Sequence, residues 1–243
     1  MVRCIMSEYR KYKGTFTKKL VWLAPIITTI IGFVLALGTG FAQISSYYYW
    51  YAIILPGVLT LICAGVINQD SKKLKCRAIL SLPIDLSKVW TSKILVCVWF
   101  YFLSCTVCFI GTNILSCAWG RSISVSNSIE GSILIFVTFL WLIPLSLFLI
   151  DKVGMVITLL INIGLNIVGT QLSIEPSWIA FPYAITSRLM CSVIGSLPSG
   201  LPVPANSPLR SRSVIFPGVI ISIVLFTIFL VVTSLLFRKR EAK

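Results

Sequence analysis

The sequence predicts an all-α polytopic membrane protein with six transmembrane helices, and three observations carry that prediction. From Leu20 to Gln69, fifty residues pass without one Asp, Glu, Lys or Arg. Over such a length a soluble surface would have nothing polar to offer water, whereas hydrocarbon requires it once the backbone satisfies its own hydrogen bonds. Apolar runs of spanning length recur six times along the 243 residues, which are 57% hydrophobic and 12% charged. The basic residues, finally, gather in the segments between alternate runs rather than being spread evenly.

The elements follow in order. Residues 1–19 are expected to form an amphipathic cytoplasmic helix: Val2, Ile5, Met6, Tyr9, Tyr12 and Phe16 share one face at 100° per residue, and Arg3, Arg10, Lys11, Lys18 and Lys19 point elsewhere, with Lys13 the exception. Such a helix serves either as a topogenic anchor or as an elbow that turns the chain into the membrane. Residues 20–243 then make a single six-helix domain, with spans at Leu20–Phe41, Tyr51–Ile67, Ile94–Trp119, Ser132–Ile150, Val153–Leu172 and Val214–Phe237. The first span exceeds the 7–15 apolar residues of a signal peptide and follows a long basic segment, so it is read as retained. With the N-terminus inside, segments 1–19, 68–93, 151–152 and 238–243 hold 6, 6, 1 and 4 Lys or Arg. The outer segments hold four, namely Arg121, Arg188, Arg210 and Arg212. Both termini are therefore expected in the cytoplasm, and Tyr47 to Tyr51 at an outer interfacial turn. The net charge of +14 belongs to topology rather than to nucleic acid, which is not an expected partner.

Two segments outside the spans stand out. In the 68–93 loop, Asp70 or Ser71 can cap a short helix that Pro83 ends, and Asp85 can cap the next. The short helix carries Lys72, Lys73, Lys75 and Arg77 around Leu74, Ile79 and Leu80, a basic and partly apolar surface suited to docking in a partner's groove. Orientation alone would also make this loop basic. Residues 173–213 are too apolar for a free loop and too interrupted to span, with Pro176, Pro182, Pro198, Pro202, Pro204 and Pro208. One or two short re-entrant or interfacial helices are expected around Ser177–Ile194. Trp178, Phe181 and Tyr183 suit the interface, where they either anchor the segment or offer apolar area to a membrane-embedded substrate. Arg188 should reach headgroups or a loop carbonyl.

Within the spans, Gly154, Thr158, Asn162, Asn166 and Thr170 recur every four residues. Such a stripe either joins helices or lines a substrate path or subunit interface. Pro25, Pro56 and Pro144 should kink their helices, with the freed carbonyls satisfied by neighbouring helices. Five of the eight cysteines fall in spans and are read as small apolar side chains; Cys105 and Cys108 have Cys-x-x-Cys spacing but no His or acid nearby. The chain has no histidine, no Gly-x-x-x-x-Gly-Lys-Ser/Thr run and no charge well inside a span. These absences argue against metal sites, bound nucleotide, intramembrane proteolysis and ion-coupled carriage, and no inverted repeat links the two halves.

Several blocks are specific beyond composition: Ser7-Glu8-Tyr9-Arg10-Lys11, Trp22-Leu23-Ala24-Pro25, Leu55-Pro56-Gly57, the run from Arg77 through Leu82-Pro83-Ile84-Asp85 to Trp90, Thr138 to Pro144, and Pro182 to Met190. Together they resemble lantibiotic-immunity ABC transporter permeases of the MutE/EpiE family, over nearly the whole chain. Where that pattern has Pro-Asn-Gly-Leu, this sequence has Pro198-Ser199-Gly200-Leu201. The resemblance implies an ABC-2-type permease in the cell membrane of a Gram-positive bacterium that expels a lantibiotic peptide from the producer's membrane. It also implies a separate ATP-binding subunit, in two copies, that holds ATP and Mg, and a second related permease or a copy of this chain. The coupling helix would then lie in the 68–93 loop. Export of another amphiphile or antibiotic, or a non-transporting scaffold or sensor, are the competing readings.

Overall fold

The computed structural model describes residues 6, 8, 9, 11, 12, 14–36, 39–74 and 86–238; the side chains of 70–74, 86, 118 and 119 lie outside that description. Among the described residues, helices make almost all of the regular structure, and the only bridge pairs Ser196 with Pro202. Nine α-helices with full bounds among the described residues run in order: α1 Phe16–Leu35, α2 Ala42–Tyr49, α3 Leu55–Leu74, α4 Leu86–Trp119, α5 Val125–Thr138, α6 Leu142–Val153, α7 Met155–Leu172, α8 Pro182–Val193 and α9 Ile215–Arg238. A five-residue π-turn, Trp50–Ile54, joins α2 to α3. Among the described residues six stretches are long and apolar enough to cross a membrane, the second running Ala42–Gln69 and the fourth Val125–Val153. The chain is a multi-pass helical membrane protein.

Several boundaries differ from the sequence expectation. The first helix starts at Phe16 and is over by Leu35, with Gly40 at φ +74° turning the chain back. The second span opens at Ala42 rather than Tyr51. Its aromatic cluster is helical and enclosed: Tyr47, Trp50 and Tyr51 are each 1% exposed. Aromatic composition indicates an interface, but packing has used these rings as core. At the other end α3 continues through Asp70 and Ser71 to Leu74, so neither residue caps a new helix. Lys75, Arg77, Ile79 and Asp85 lie outside the described residues. Between α6 and α7 one residue suffices, because Gly154 adopts φ +90° and its N–H still reaches Ile150 O at 3.1 Å.

The connections alternate ends, so the starts of α1, α4 and α7 and the ends of α3, α6 and α9 share one end of the bundle. This is the end richest in lysine and arginine. The second span sits at the centre, with α3 against α1, α4, α6 and α7. The short α8 fills the far half, packed on α7, α5 and α9. At the periphery α9 leaves Phe216, Ile220, Ile223, Val224 and Ile228 uncovered. In water such a face would be a liability; against lipid it is the expected surface.

Of the apolar face expected on residues 1–19, Val2 and Ile5 lie outside the described residues, and the described members differ in burial. Gly14, at φ +77°, breaks the helical period before Phe16, and Tyr12 (1% exposed) parts company with Phe16 (69%) and Met6 (56%). Tyr12 packs edge-on to Phe100 at 5.7 Å, and Glu8 is buried between Lys11 (2.6 Å) and Lys93 (3.4 Å). The helical wheel did not place Glu8 or Lys93, because an ion pair between distant segments leaves no periodic signal.

Candidate functional site

The polar stripe of α7 turns inward and is spent on its neighbours. Asn162 is fully buried and acts as a hub for three other helices. Its Nδ2 donates to Thr60 Oγ1 on α3 (2.8 Å) and to Ser146 Oγ on α6 (2.9 Å), and its Oδ1 accepts from the Tyr183 hydroxyl on α8 (3.0 Å). An amide suits this place because it offers two donors and an acceptor without charge. In hydrocarbon each unmet polar group is costly, so four helices are drawn to one point.

One turn along, Asn166 repairs a defect. Pro56 has no N–H, so Ala52 O loses its donor four residues on. Asn166 Nδ2 lies 2.8 Å from Ala52 O and 3.2 Å from Tyr51 O, inside the π-turn. The expected rescue by a neighbouring helix thus occurs at Pro56. At Pro144 it does not: Leu140 O is taken within its own turn by Ile143 N at 3.1 Å.

The stripe continues outward. Thr170 donates to Asn166 O (2.8 Å) and accepts from Ser187 of α8 (3.1 Å), while Thr186 donates to Thr138 of α5 (2.8 Å). Thr158 donates only to Gly154 O in its own helix. Gly169 lets α7 and α8 meet: a Cβ there would sit 2.7 Å from the Tyr183 backbone carbon. Beside the hub, Trp141 stacks edge-on to Tyr183 at 4.9 Å, and its buried Nε1 has no partner among the described residues. The Thr138–Pro144 block contains Trp141 but gave it no place beside the hub; a lone Trp in an apolar run carries no positional signal.

Of the outer aromatics, Trp178 and Tyr183 are each 6% exposed and Phe181 is half-buried, so their apolar area is largely covered by the fold. Arg188 donates to Leu209 O at 3.2 Å, the loop carbonyl expected of it. Residues 195–203 fold back on the second span: Tyr48 donates to Pro198 O (2.7 Å), Tyr51 to Ser196 Oγ (3.2 Å), and Cys191 Sγ to Ser196 O (3.0 Å). Burial pushes the Cys191 thiol up to about 11, against a lowering by Arg188.

A groove of about 170 Å³ opens on the side of the bundle between α4 and α5, lined by Phe102, Phe109, Ile129, Ile133 and Phe136 with Ser132 at one edge. The Ser132 hydroxyl lies 3.1 Å from that of Tyr47. At the basic end, the backbone of Lys72, Lys73 and Leu74 forms the last turn of α3. Among the described residues no group of His, Cys, Asp and Glu could hold a metal, and the six described cysteines are free. Compared with family models, curated proteins and solved structures, the chain has no match.

Proposed function

We propose that this chain is the permease subunit of an ATP-driven exporter that removes a lantibiotic peptide from the membrane of the cell producing it. The sequence blocks quoted above supply the substrate class and the expectation of separate ATP-binding subunits, paired with a second related permease or a copy of this chain. The observation that carries a transport role is the continuity of α3. One unbroken helix runs from the buried π-turn to Leu74 at the basic end. A helix is stiff along its axis, so force applied at Lys72 and Lys73 by a partner reaches Thr60, and through it Asn162, α6 and α8. ATP and Mg, held by the partner, supply the energy; this chain receives and redirects the motion. With Trp178 and Tyr183 largely enclosed, the groove between α4 and α5 offers a concave apolar surface to a membrane-dissolved peptide. Recognition there is apolar and weakly dependent on salt.

The test is a producer strain lacking this chain, complemented with the wild type or with Lys72→Glu/Lys73→Glu/Lys75→Glu. Deletion should raise sensitivity to the lantibiotic and leave sensitivity to unrelated amphiphilic antibiotics unchanged. The triple variant should insert normally, fail to restore protection and co-purify less ATPase. Equal sensitisation to unrelated amphiphiles would point to a broader exporter, and no ATPase in the wild-type complex would point to a scaffold or sensor.

A further inference from the structure

We infer that the π-turn at Trp50–Ile54 is a two-register switch, held in its present register by Asn166, and that the register decides whether residues 195–203 stay latched to the bundle. The inference does not depend on what the protein transports. It starts from the hydrogen bonds around Pro56. Leu55 N donates five residues back, to Trp50 O, instead of four back to Tyr51 O. Pro56 donates nothing. Two successive carbonyls, Tyr51 O and Ala52 O, therefore lack their helical donors, and these are the two that Asn166 Nδ2 meets at 3.2 and 2.8 Å. Asn166 is 1% exposed, so no water competes for the place.

The two carbonyls are not equivalent. Ala52 O lacks its four-back donor, Pro56, whichever carbonyl the Leu55 N–H takes, and needs Asn166 in both cases. Tyr51 O needs Asn166 only in the π-register, because in the α-register the Leu55 N–H would take it. The contact to Tyr51 O is thus specific to the present state. Passing to the α-register removes one residue of slack and turns α2 by about 100° relative to α3, with about 1.5 Å of translation.

Rotation on that scale acts on the loop that α2 and the π-turn hold. Tyr48 bonds Pro198 O, and its ring covers Gly200, where a Cβ would lie 3.0 Å from the ring. Tyr51 bonds Ser196. On the opposite side Tyr47 bonds Ser128 Oγ at 2.7 Å. All three hydroxyls lose their partners if α2 turns, so the π-register is the latched state and the α-register the released one. The partners are neutral hydroxyls and carbonyls, each worth little alone, and the tie is breakable without expelling a buried charge.

The experiment is hydrogen–deuterium exchange on the full chain in lipid nanodiscs. Asn166→Leu removes the donor that favours the π-register, and should speed exchange in residues 195–203 and 42–49 by roughly three- to twenty-fold, the range for one membrane-buried hydrogen bond, with α4 unchanged. Pro56→Ala restores one N–H, which can meet Ala52 O; Tyr51 O then still needs Asn166, and only in the π-register. In that background Asn166→Leu should still speed exchange at 195–203 by a similar factor, because the contact to Tyr51 O, and not that to Ala52 O, sets the register. A uniform rise across the bundle, no rise at 195–203, or loss of the effect in the Pro56→Ala background would overturn the switch. Tyr51→Phe provides a second route that leaves the backbone intact: exchange at 195–203 should rise, and an unchanged rate there would overturn the latch even if Asn166→Leu failed to fold.

Discussion

Replacing Asn162 by Ala separates the two meanings that a polar stripe on a membrane helix can carry. If the residue lines a path, removing its amide alters what passes and leaves the fold alone. If it joins helices, stability falls, and the structure says by how much. Asn162 makes three interhelical hydrogen bonds, to Thr60, Ser146 and Tyr183. Such bonds average about 0.6 kcal/mol in membranes and reach about 1.7. Three of them amount to about 2 kcal/mol at the average and about 5 at the limit. The buried Tyr183 hydroxyl left without its acceptor moves the value toward the upper figure. Reversible unfolding in mixed micelles, or steric trapping in bicelles, reads this directly, and a loss of about 2 kcal/mol shifts the equilibrium roughly thirtyfold. Thr158→Ala is the internal control, since its hydroxyl bonds only its own helix; it should cost under about 0.5 kcal/mol. A double-mutant cycle with Tyr183→Phe should return a coupling of about 0.6 kcal/mol or more. If Asn162→Ala matched the wild type within about 0.5 kcal/mol, the hub would hold nothing together and the stripe would have to be reassigned to a path.

Two further outcomes follow. Gly169→Ala pushes a methyl into the Tyr183 backbone, so it should destabilise by about 1–3 kcal/mol and act together with Asn162→Ala rather than additively, which the same unfolding assay measures. In a Cys4→Ser/Cys76→Ser background, an impermeant maleimide added outside intact cells should label Cys117, which is exposed. Cys63, Cys97, Cys105, Cys108 and Cys191 should react only after unfolding, since all are buried and the Cys191 thiol is raised to about 11. Labelling of Cys117 from the cytoplasmic side alone would reverse the orientation expected from the basic residues.

How much of this was legible in the chain depends on the range of the signal. The six spans could be read because the exclusion of charge from hydrocarbon is imposed residue by residue, and the stripe from Gly154 to Thr170 because helical period puts every fourth residue on one face. Pro56 announced a missing donor through its own chemistry, and the Pro-broken segment after Leu172 announced short helices in the same way. The partners were not legible. That Asn166 serves Tyr51 O and Ala52 O, that Asn162 gathers four helices, and that Glu8 answers Lys93 are matters of which helices become neighbours. Tyr47 and Tyr51 show the limit most plainly. Their composition indicates an interface, yet they are enclosed, because the helix begins at Ala42 and α1, α4 and α7 pack around it and the π-turn. Transfer energies act on each residue separately and so are written along the chain; packing and buried hydrogen bonds are properties of pairs distant in sequence, and only the tertiary structure selects the pairs.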